Sequence, residues 1–296
     1  MTSPPSPVPL GEFLAHAERR AAHLREYETF MRVDMRHNQL ALERAQPFSV
    51  GAAEANMAKN NFVNIMPFDH HRMQLADGSY VNASPIVSWN NEIKYIATQG
   101  PSFTNNIADD FYEVLWSTSS PVIVMLSNEN EMPNGAYWAP RTAKDLKNWD
   151  VSVIETERPH DGIIVRQLKL VRRESGEERL VRHVQFTLWK DFEAPDTIDG
   201  VIRLLEITDR VHAEQRAAGL EGPITVHCRA GVGRTGTFMA IHDHVDEILS
   251  SGAGHVDVFG KVSQLRKYRP FLVQQPQQYV FIFQALKTIL QQRELI

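Results

Sequence analysis

The sequence predicts a single α/β domain, and three observations carry this prediction. Segments with a helical spacing of apolar residues alternate with short runs of β-prone residues along most of the chain. The run PITVHC is followed by a glycine-rich turn and then by a helical pattern, an arrangement that creates anion sites. The 16 Gly and 16 Pro are scattered over 296 residues, so no low-complexity linker marks a domain boundary.

The elements can be predicted in order along the chain. From residue 10 to about residue 44, apolar residues recur every three or four positions among charges, which predicts one or two amphipathic helices. Further helices are predicted at DDFYEVLWS and at residues 197–216, 235–249 and 279–290. Strands are predicted at YVNAS, KYIATQ, VIVML, IIVRQLKLV, RLVRHVQFTLW and PITVHC.

Composition excludes several classes of protein. The formal net charge of -5 argues against a nucleic-acid-binding protein, which needs a basic face to neutralise phosphates. The longest apolar stretch, residues 122–126, is far shorter than a membrane span, so we expect no membrane insertion. One cysteine forbids an intrachain disulfide and fits a reducing compartment, which predicts a cytoplasmic location.

The segment ITVHCRAGVGRTGTF carries the chemistry. A strand brings Cys228 to the mouth of a tight loop, Gly231 and Gly233 let the backbone turn with its amides inward, and a helix begins near Arg234. Such amides and a helix N-terminus bind anions. Arg234 can return a bidentate guanidinium to the same oxyanion, so a tetrahedral phosphoryl group fits this loop.

The same groups should make Cys228 a nucleophile. Helix ends and cations lower a thiol pKa from about 8.5 to about 3.5–7.5, which raises the thiolate fraction at neutral pH. We expect Thr235 to donate its hydroxyl to the thiolate and His227 to tune the sulfur from behind. A lone cysteine is more often a buried core residue. Cysteine, two glycines, arginine and threonine in this order favour the catalytic interpretation.

The loop HCRAGVGRTG resembles the His-Cys-any five-Arg-Ser/Thr loop of the protein tyrosine phosphatases. Other segments resemble that family in the expected order, over about residues 56–290: KNNFVNIMPFDHHRM, GSYVNAS, YIATQGP, VRQLKL, HVQFTLWKDFEAP and QQPQQYVFIF. The resemblance implies a highly twisted mixed β-sheet, parallel at its centre, with helices on both sides.

The resemblance also implies a two-step mechanism. Cys228 attacks phosphorus while Asp191 protonates the leaving tyrosine oxygen, and water then hydrolyses the phosphocysteine with Asp191 as base. Gln274 is expected to position that water, with help from Gln278, and Glu131 to brace Arg234. No metal or organic cofactor is implied.

Substrate-binding and supporting residues follow from the same resemblance. The family's recognition-loop aromatic is matched by Phe62, which should line a cleft deep enough for phosphotyrosine but not for phosphoserine. Trp189 is expected to support the acid loop. The other expected substrate contacts are Arg229, Ala230, Gly231, Val232, Gly233 and Asn64.

Two motifs depart from the family pattern. The acid loop usually reads Trp-Pro-Asp, but here Lys190 replaces the proline, which predicts an active but slowed enzyme because proline limits the open loop ensemble. The aspartate that usually holds the substrate backbone is matched by Asn64, so a charge-assisted anchor is lost.

The sequence therefore predicts an enzyme that hydrolyses phosphotyrosine in proteins. The alternatives are a phosphotyrosine-binding pseudophosphatase with an impaired acid loop and a broader phosphatase for phosphoserine or phosphoinositides. We expect a monomer with a disordered tail at 1–9, a helical segment at 10–55 that packs on the catalytic domain, and a catalytic domain at 56–296. Because the loop also resembles that of some secreted bacterial effectors, action in a host cytoplasm stays an alternative.

Two histidine pairs lack metal-ligand spacing and are not expected to bind metal: His70 with His71, and His242 with His244.

Overall fold

Seven strands form the main sheet of the computed structural model, which describes residues 4–132, 135–140, 142, 145–195 and 197–296. Their spatial order is β2-β3-β8-β4-β7-β6-β5. The strands are β2 (Ala83–Val87), β3 (Ile93–Thr98), β4 (Val122–Met125), β5 (Trp149–His160), β6 (Ile163–Arg172), β7 (Glu178–Phe186) and β8 (Ile224–His227). The four central strands, β3, β8, β4 and β7, run parallel, and the outer pairs are antiparallel. The predicted mixed sheet with a parallel centre is confirmed.

Helices are the other main regular elements of the described chain. They are α1 (Leu10–Ala17), α2 (Arg20–Leu42), α3 (Glu54–Met57), α4 (Ile107–Ser117), α5 (Ile198–Ala217), α6 (Gly233–Ser251), α7 (Val258–Tyr268) and α8 (Pro276–Gln292). Short 3-10 turns cover Thr104–Asn106 and Glu129–Glu131. Within the described residues, no helix combines the length and the apolar content that crossing a bilayer requires.

Both faces of the sheet are covered by helices, as predicted. Every residue of β4 is buried. Val122 and Val124 belong to a core cluster with residues of α5, α6 and α8, whereas Ile123 and Met125 belong to a second cluster with residues of α4. Because alternate side chains of a strand point to opposite faces, the two clusters lie on opposite sides of the sheet.

The N-terminal helices pack on the rest of the molecule. Tyr27 and Phe30 of α2 are buried in the larger core cluster, and the Tyr27 hydroxyl donates to the Val273 carbonyl at 3.0 Å. Arg266 of α7 forms an ion pair with Asp34 at 2.7 Å. These contacts join α2 to α7 and to the segment that follows it.

A two-stranded ribbon lies beside this packing. The strand β1 (Val8–Pro9) pairs antiparallel with β9 (His255–Val256). Residues 8 and 9 are thus ordered although the sequence placed them in a disordered tail. Residues 1–3 of that tail lie outside the described residues.

Two long elements were not predicted from the sequence, and one strand was misplaced. The outermost strand β5 is largely exposed, so it lacks a continuous apolar pattern, and it tolerates Pro159 because edge strands need fewer backbone donors. Helix α7 carries Gly260 in its first turn, which weakened its helical pattern. The first core strand begins at Ala83 rather than at Tyr80.

Candidate active site

Cys228 follows β8 directly, at the carboxyl edge of the parallel strands. Its side chain is 3% exposed, and the Gly231 amide donates to its Sγ at 3.3 Å. Gly231 has a φ of 71° in the left-handed region, and a Cβ there would lie 2.0 Å from the Thr98 carbonyl oxygen. Only glycine therefore allows the loop to turn beside β3 with its amides toward the sulfur.

Opposing influences set the pKa of Cys228. Burial by itself would raise it, but the Arg234 guanidinium, the Thr235 hydroxyl and amide, and the Val232 amide together lower it below its ordinary value. Since α6 begins at Gly233, its N-terminal dipole also favours negative charge at this loop. The sulfur is thus held in surroundings that favour the thiolate.

Arg234 is almost completely buried and binds three groups. Its Nη1 and Nη2 donate to the two carboxylate oxygens of Glu131 at 3.1 and 2.6 Å. Nη1 also donates to the Trp189 carbonyl at 2.9 Å, and Nη2 to Asp191 Oδ1 at 2.9 Å. The bidentate pair fixes the guanidinium, and the other two bonds hold the acid loop against it.

The loop from Trp189 to Glu193 is tied down at both ends. The buried Trp189 indole donates to the Glu193 carbonyl at 2.8 Å. Gln277 of α8 donates to the Phe192 carbonyl at 2.7 Å. Lys190 is 67% exposed, and its Nζ lies 3.8 Å from Glu193. The Lys190 side chain therefore extends into solvent rather than into the site.

The N-terminus of α8 closes another side of the site. A Cβ at Gly233 would lie 3.0 Å from Gln278 Oε1 and 3.4 Å from the Gln274 Cβ, so both glutamines lie against the cysteine loop. Gln278 is buried and accepts a bond from the Gln275 amide at 3.1 Å. Gln274 is half-buried.

Residues 56–288 match the family model described as Protein-tyrosine phosphatase. The chain belongs to the protein-tyrosine phosphatase family. Receptor-type tyrosine-protein phosphatase F of Danio rerio is 34% identical over 270 residues, which are 87% of this chain and 14% of that protein. Receptor-type tyrosine-protein phosphatase C of Rattus norvegicus is 35% identical over 254 residues, which are 81% and 19%. The chain thus spans less than a fifth of the length of each relative.

A solved structure supports the same family assignment. This structure, "Structural basis of PTPN18 fingerprint on distinct HER2 tyrosine phosphorylation sites", superposes with a TM-score of 0.80 at 25% identity. The match covers 95% of this chain and 98% of that chain. The arrangement of the sheet and helices is therefore that of a tyrosine phosphatase domain.

The predicted recognition residues of this phosphatase domain have different surroundings. Phe62 lies beside the cysteine loop, where the Arg229 guanidinium carbon is 5.4 Å from its ring centroid. It packs on a small apolar cluster that contains Val232. Asn64 instead donates to Asn38 Oδ1 of α2 at 2.7 Å. Phe62 is thus brought to the loop, whereas the amide of Asn64 is bound to the N-terminal helix.

His227 supports the phosphatase loop from behind. It is fully buried, its Nδ1 lies 3.0 Å from the Cys228 carbonyl oxygen, and its Nε2 lies 2.7 Å from the Tyr137 hydroxyl. Burial lowers the pKa of His227 to about 4, so the ring is neutral at neutral pH. The Tyr137 hydroxyl also meets His183 Nε2 at 2.9 Å, which extends this buried network away from the site.

Arg269 also shapes the loop, and the sequence analysis missed it. It is fully buried, and it donates to the carbonyls of Gly231 and Ala230 at 2.9 and 3.2 Å and to Asn82 Oδ1 at 2.8 Å. Burial lowers its pKa to about 10, so it stays protonated at neutral pH. By holding two loop carbonyls outward, Arg269 keeps the loop amides turned toward Cys228.

The structure brings nearly all predicted site residues together. One group surrounds Cys228 directly: Arg229, Ala230, Gly231, Val232, Gly233, Arg234, Thr235 and His227. A second group contacts the loop from other elements. Glu131, Trp189 and Asp191 bond Arg234. Gln274 and Gln278 lie beside Gly233, and Phe62 lies beside Arg229. Asn64 instead bonds Asn38 of α2.

Proposed function

We propose that this chain hydrolyses phosphotyrosine in proteins through a phosphocysteine intermediate. The observation that carries the proposal is the convergence of a lowered-pKa thiol, Cys228, and a carboxyl group, Asp191, on one buried guanidinium, Arg234. A nucleophile, a proton donor and an anion-binding cation are the parts that displacement at phosphorus requires.

The loop has donors ready for the phosphoryl oxygens. Among the described residues, the buried Arg234 Nε has no hydrogen-bond partner. Buried polar atoms are rarely left unpaired without a function. A bound phosphoryl group would accept from Arg234 and the loop amides, and it would displace Asp191 from Nη2.

The reaction follows in two displacements. Cys228 Sγ attacks phosphorus, the bond from phosphorus to the tyrosine oxygen breaks, and Asp191 gives its proton to that oxygen. Water positioned by Gln274 then attacks phosphorus, Asp191 takes the proton, and the S–P bond breaks to restore the thiolate. Glu131 fixes the Arg234 guanidinium. Gln274 and Gln278 lie against the cysteine loop at Gly233, where they can position the attacking water.

Selectivity for phosphotyrosine is proposed to come from the depth of the cleft that leads to Cys228. The sulfur is almost buried, and Phe62 stands at the loop with Arg229 over its ring. A long aromatic side chain can reach the sulfur and stack on Phe62, whereas phosphoserine is too short. The pseudophosphatase alternative needs an acid loop that cannot approach the site, and the bond between Asp191 and Arg234 does not favour it.

The chemistry of the cysteine also bears on the compartment in which the enzyme acts. A thiolate of lowered pKa is easily oxidised, so a reducing compartment such as the cytoplasm suits the enzyme. We propose that it acts there as a monomer on phosphotyrosine-containing proteins. Action in a host cytoplasm after secretion stays the alternative.

A phosphopeptide assay against pH tests the proposal. Wild type should release phosphate from a phosphotyrosine peptide and not from the matched phosphothreonine peptide. Cys228→Ser should be inactive, and Asp191→Ala should lose the limb of the pH profile that reports the acid. Equal rates on both peptides would favour a broader phosphatase, and binding without turnover would favour the pseudophosphatase.

A further inference from the structure

Three potential metal ligands meet where α1, α2 and α8 pack together, away from Cys228. They are His16 at the end of α1 and His23 and Glu26 in α2. One ligand atom from each lies within 4.8 Å of the others. Neither the hydrolysis of phosphate esters nor the phosphatase loop uses any of these side chains.

His23 is held in one orientation, in which one ring nitrogen has no hydrogen-bond partner among the described residues. Its ring is 0% exposed and stacks on Phe283, with centroids 3.6 Å apart and planes at 9°. Its Nε2 lies 3.1 Å from the His16 carbonyl oxygen, which can only accept, so Nε2 carries the proton. The neutral tautomer that this bond selects presents an unprotonated Nδ1.

That nitrogen faces a carboxylate and not a donor. His23 Nδ1 is buried without a hydrogen-bond partner among the described residues, and it lies 3.9 Å from Glu26 Oε2. This distance is too long for a hydrogen bond. Two acceptor atoms thus lie close together. A cation between them would stabilise this arrangement, which otherwise costs free energy because a buried acceptor lacks a donor.

The surroundings resemble the outer shell of a metal site. A histidine that binds metal usually donates its other N–H to a backbone carbonyl, as His23 does to His16. A ligating carboxylate is usually hydrogen-bonded too, and the Tyr279 hydroxyl donates to Glu26 Oε2 at 2.8 Å. His16 is half-buried, so it offers a route of entry from solvent.

We propose that His16, His23 and Glu26 bind one divalent transition-metal ion of the Zn²⁺ class. Two imidazoles and a carboxylate suit such ions, and three protein ligands leave a fourth position for solvent. Donors around one Zn²⁺ lie roughly 3.4 Å apart, so a small rotation of the accessible His16 ring completes the set. The ion would fasten α1 and α2 to α8 through Tyr279 and would take no part in phosphate hydrolysis.

The other histidine pairs of the chain provide a contrast. His242 already meets Tyr95 at 2.9 Å and Asp209 at 2.7 Å with its two nitrogens. The rings of His70 and His71 lie at a tilt, with centroids 4.5 Å apart, but they belong to no set of three ligands among the described residues. They supply matched controls for nonspecific binding to surface imidazoles.

Metal titration of the full chain tests the proposal. The background is Cys228→Ser, which removes the active-site thiolate as a competing ligand for Zn²⁺. Protein freed of metal with EDTA and then dialysed is titrated with Zn²⁺ by calorimetry and with Co²⁺ by visible absorption. We expect one ion per chain and a melting temperature raised by about 5 °C at saturating Zn²⁺.

Variants locate the ion. His16→Gln and Glu26→Gln should abolish the tight site while far-UV circular dichroism stays unchanged, because neither side chain is fully buried. Tyr279→Phe should weaken binding about 10- to 100-fold by removing the bond to Glu26. His70→Gln should bind like the parent. Stoichiometry below one, equal affinity in His16→Gln, or equal loss in His70→Gln would overturn the proposal.

Discussion

At the scale of single residues, Arg234 binds a carboxylate at the place proposed for the substrate's phosphoryl group. Its Nη2 donates to Asp191 Oδ1, while Glu131 holds the guanidinium from the other side. In the proposed mechanism, substrate and Asp191 therefore compete for one cation before they cooperate in the reaction. The strength of that competition can be measured.

Removing the charge of Asp191 should separate binding from catalysis. For Asp191→Asn we expect turnover of a phosphotyrosine peptide to fall about 10²–10⁴-fold, because the leaving oxygen is no longer protonated. The same variant should bind the phosphopeptide more tightly, since Arg234 loses a competing anion. Stopped-flow turnover and calorimetric binding in the Cys228→Ser background measure the two effects. Weaker binding would contradict this account of the ion pair.

Thr235 should control the ionisation of Cys228. Its hydroxyl helps to lower the thiol pKa, so Thr235→Ala should raise that pKa and reduce the thiolate fraction. We expect alkylation by iodoacetamide to slow several-fold at about pH 6 and to approach the wild-type rate in alkaline solution. Thr237→Ala is the matched control, because its hydroxyl donates to the Gly233 carbonyl instead. Identical pH profiles for both variants would refute the assignment.

At the scale of elements, we expect the acid loop to limit how fast the site closes. Lys190 stands where the family has proline, and its exposed side chain lies near Glu193 rather than Asp191. Its charge should therefore affect Asp191 little, because exposed charges are strongly screened. The remaining effect of Lys190 is the backbone freedom that proline would remove.

Lys190→Pro should raise the turnover number about two- to fivefold, which is the effect of about 0.4–1 kcal/mol of lost loop entropy. Lys190→Ala removes the charge without restricting φ and should leave turnover near the wild-type value. Steady-state kinetics on one phosphotyrosine peptide compare the three proteins. An unchanged or lower turnover in Lys190→Pro would count against backbone freedom as the cause.

The recognition segment offers a second test at this scale. The Asn64 side chain is neutral, and its amide donates to Asn38 of α2. It therefore offers a substrate backbone no charged acceptor. Asn64→Asp should lower KM for phosphopeptides about fivefold, because a charged acceptor strengthens a hydrogen bond by about 1 kcal/mol. KM for p-nitrophenyl phosphate, which has no peptide backbone, should not change. A parallel change for both substrates would show an effect on the loop instead.

At the scale of the whole molecule, buried neutral histidines make stability depend on pH. Burial lowers the pKa values of His23 and His227 to about 4 from an ordinary 6.5. The unfolded chain binds these protons first, so stability is complete above about pH 6.5 and is lost as the pH falls toward 4. Each histidine contributes up to about 1.4 kcal/mol per pH unit in that window.

Urea unfolding in EDTA at several pH values measures this loss. The free energy of unfolding should fall steadily below about pH 6.5. His227→Gln should reduce the slope by the share of one histidine. A slope that is the same in wild type and variant would show that other groups dominate the acid sensitivity.

Sequence reasoning succeeded where the signal is local. The cysteine loop is one contiguous segment, so Cys228, Gly231 and Arg234 could be predicted together with their chemistry. Glu131 could be predicted only from the family resemblance, because its contact with Arg234 joins distant parts of the chain. The parallel centre of the sheet likewise followed from the resemblance and not from periodicity.

The remaining features depend on tertiary contacts that no short motif encodes. Arg269 looks like an ordinary basic residue after α7, and only the fold brings it to the loop carbonyls. Asn64 was expected at the substrate, but the position of α2 gives its amide another partner. The edge strand β5 escaped prediction because half-exposed strands carry a weak apolar pattern.

The position of β8 in the sheet has a consequence for protein synthesis. This strand leads directly to Cys228, the proposed nucleophile, and it pairs on both sides with β3 and β4, which the ribosome makes much earlier. Those two strands cannot join one continuous sheet until β8 pairs between them, and the loop then still needs α8. A growing polypeptide should thus stay catalytically silent until α8 has left the exit tunnel. Activity would appear in one late step.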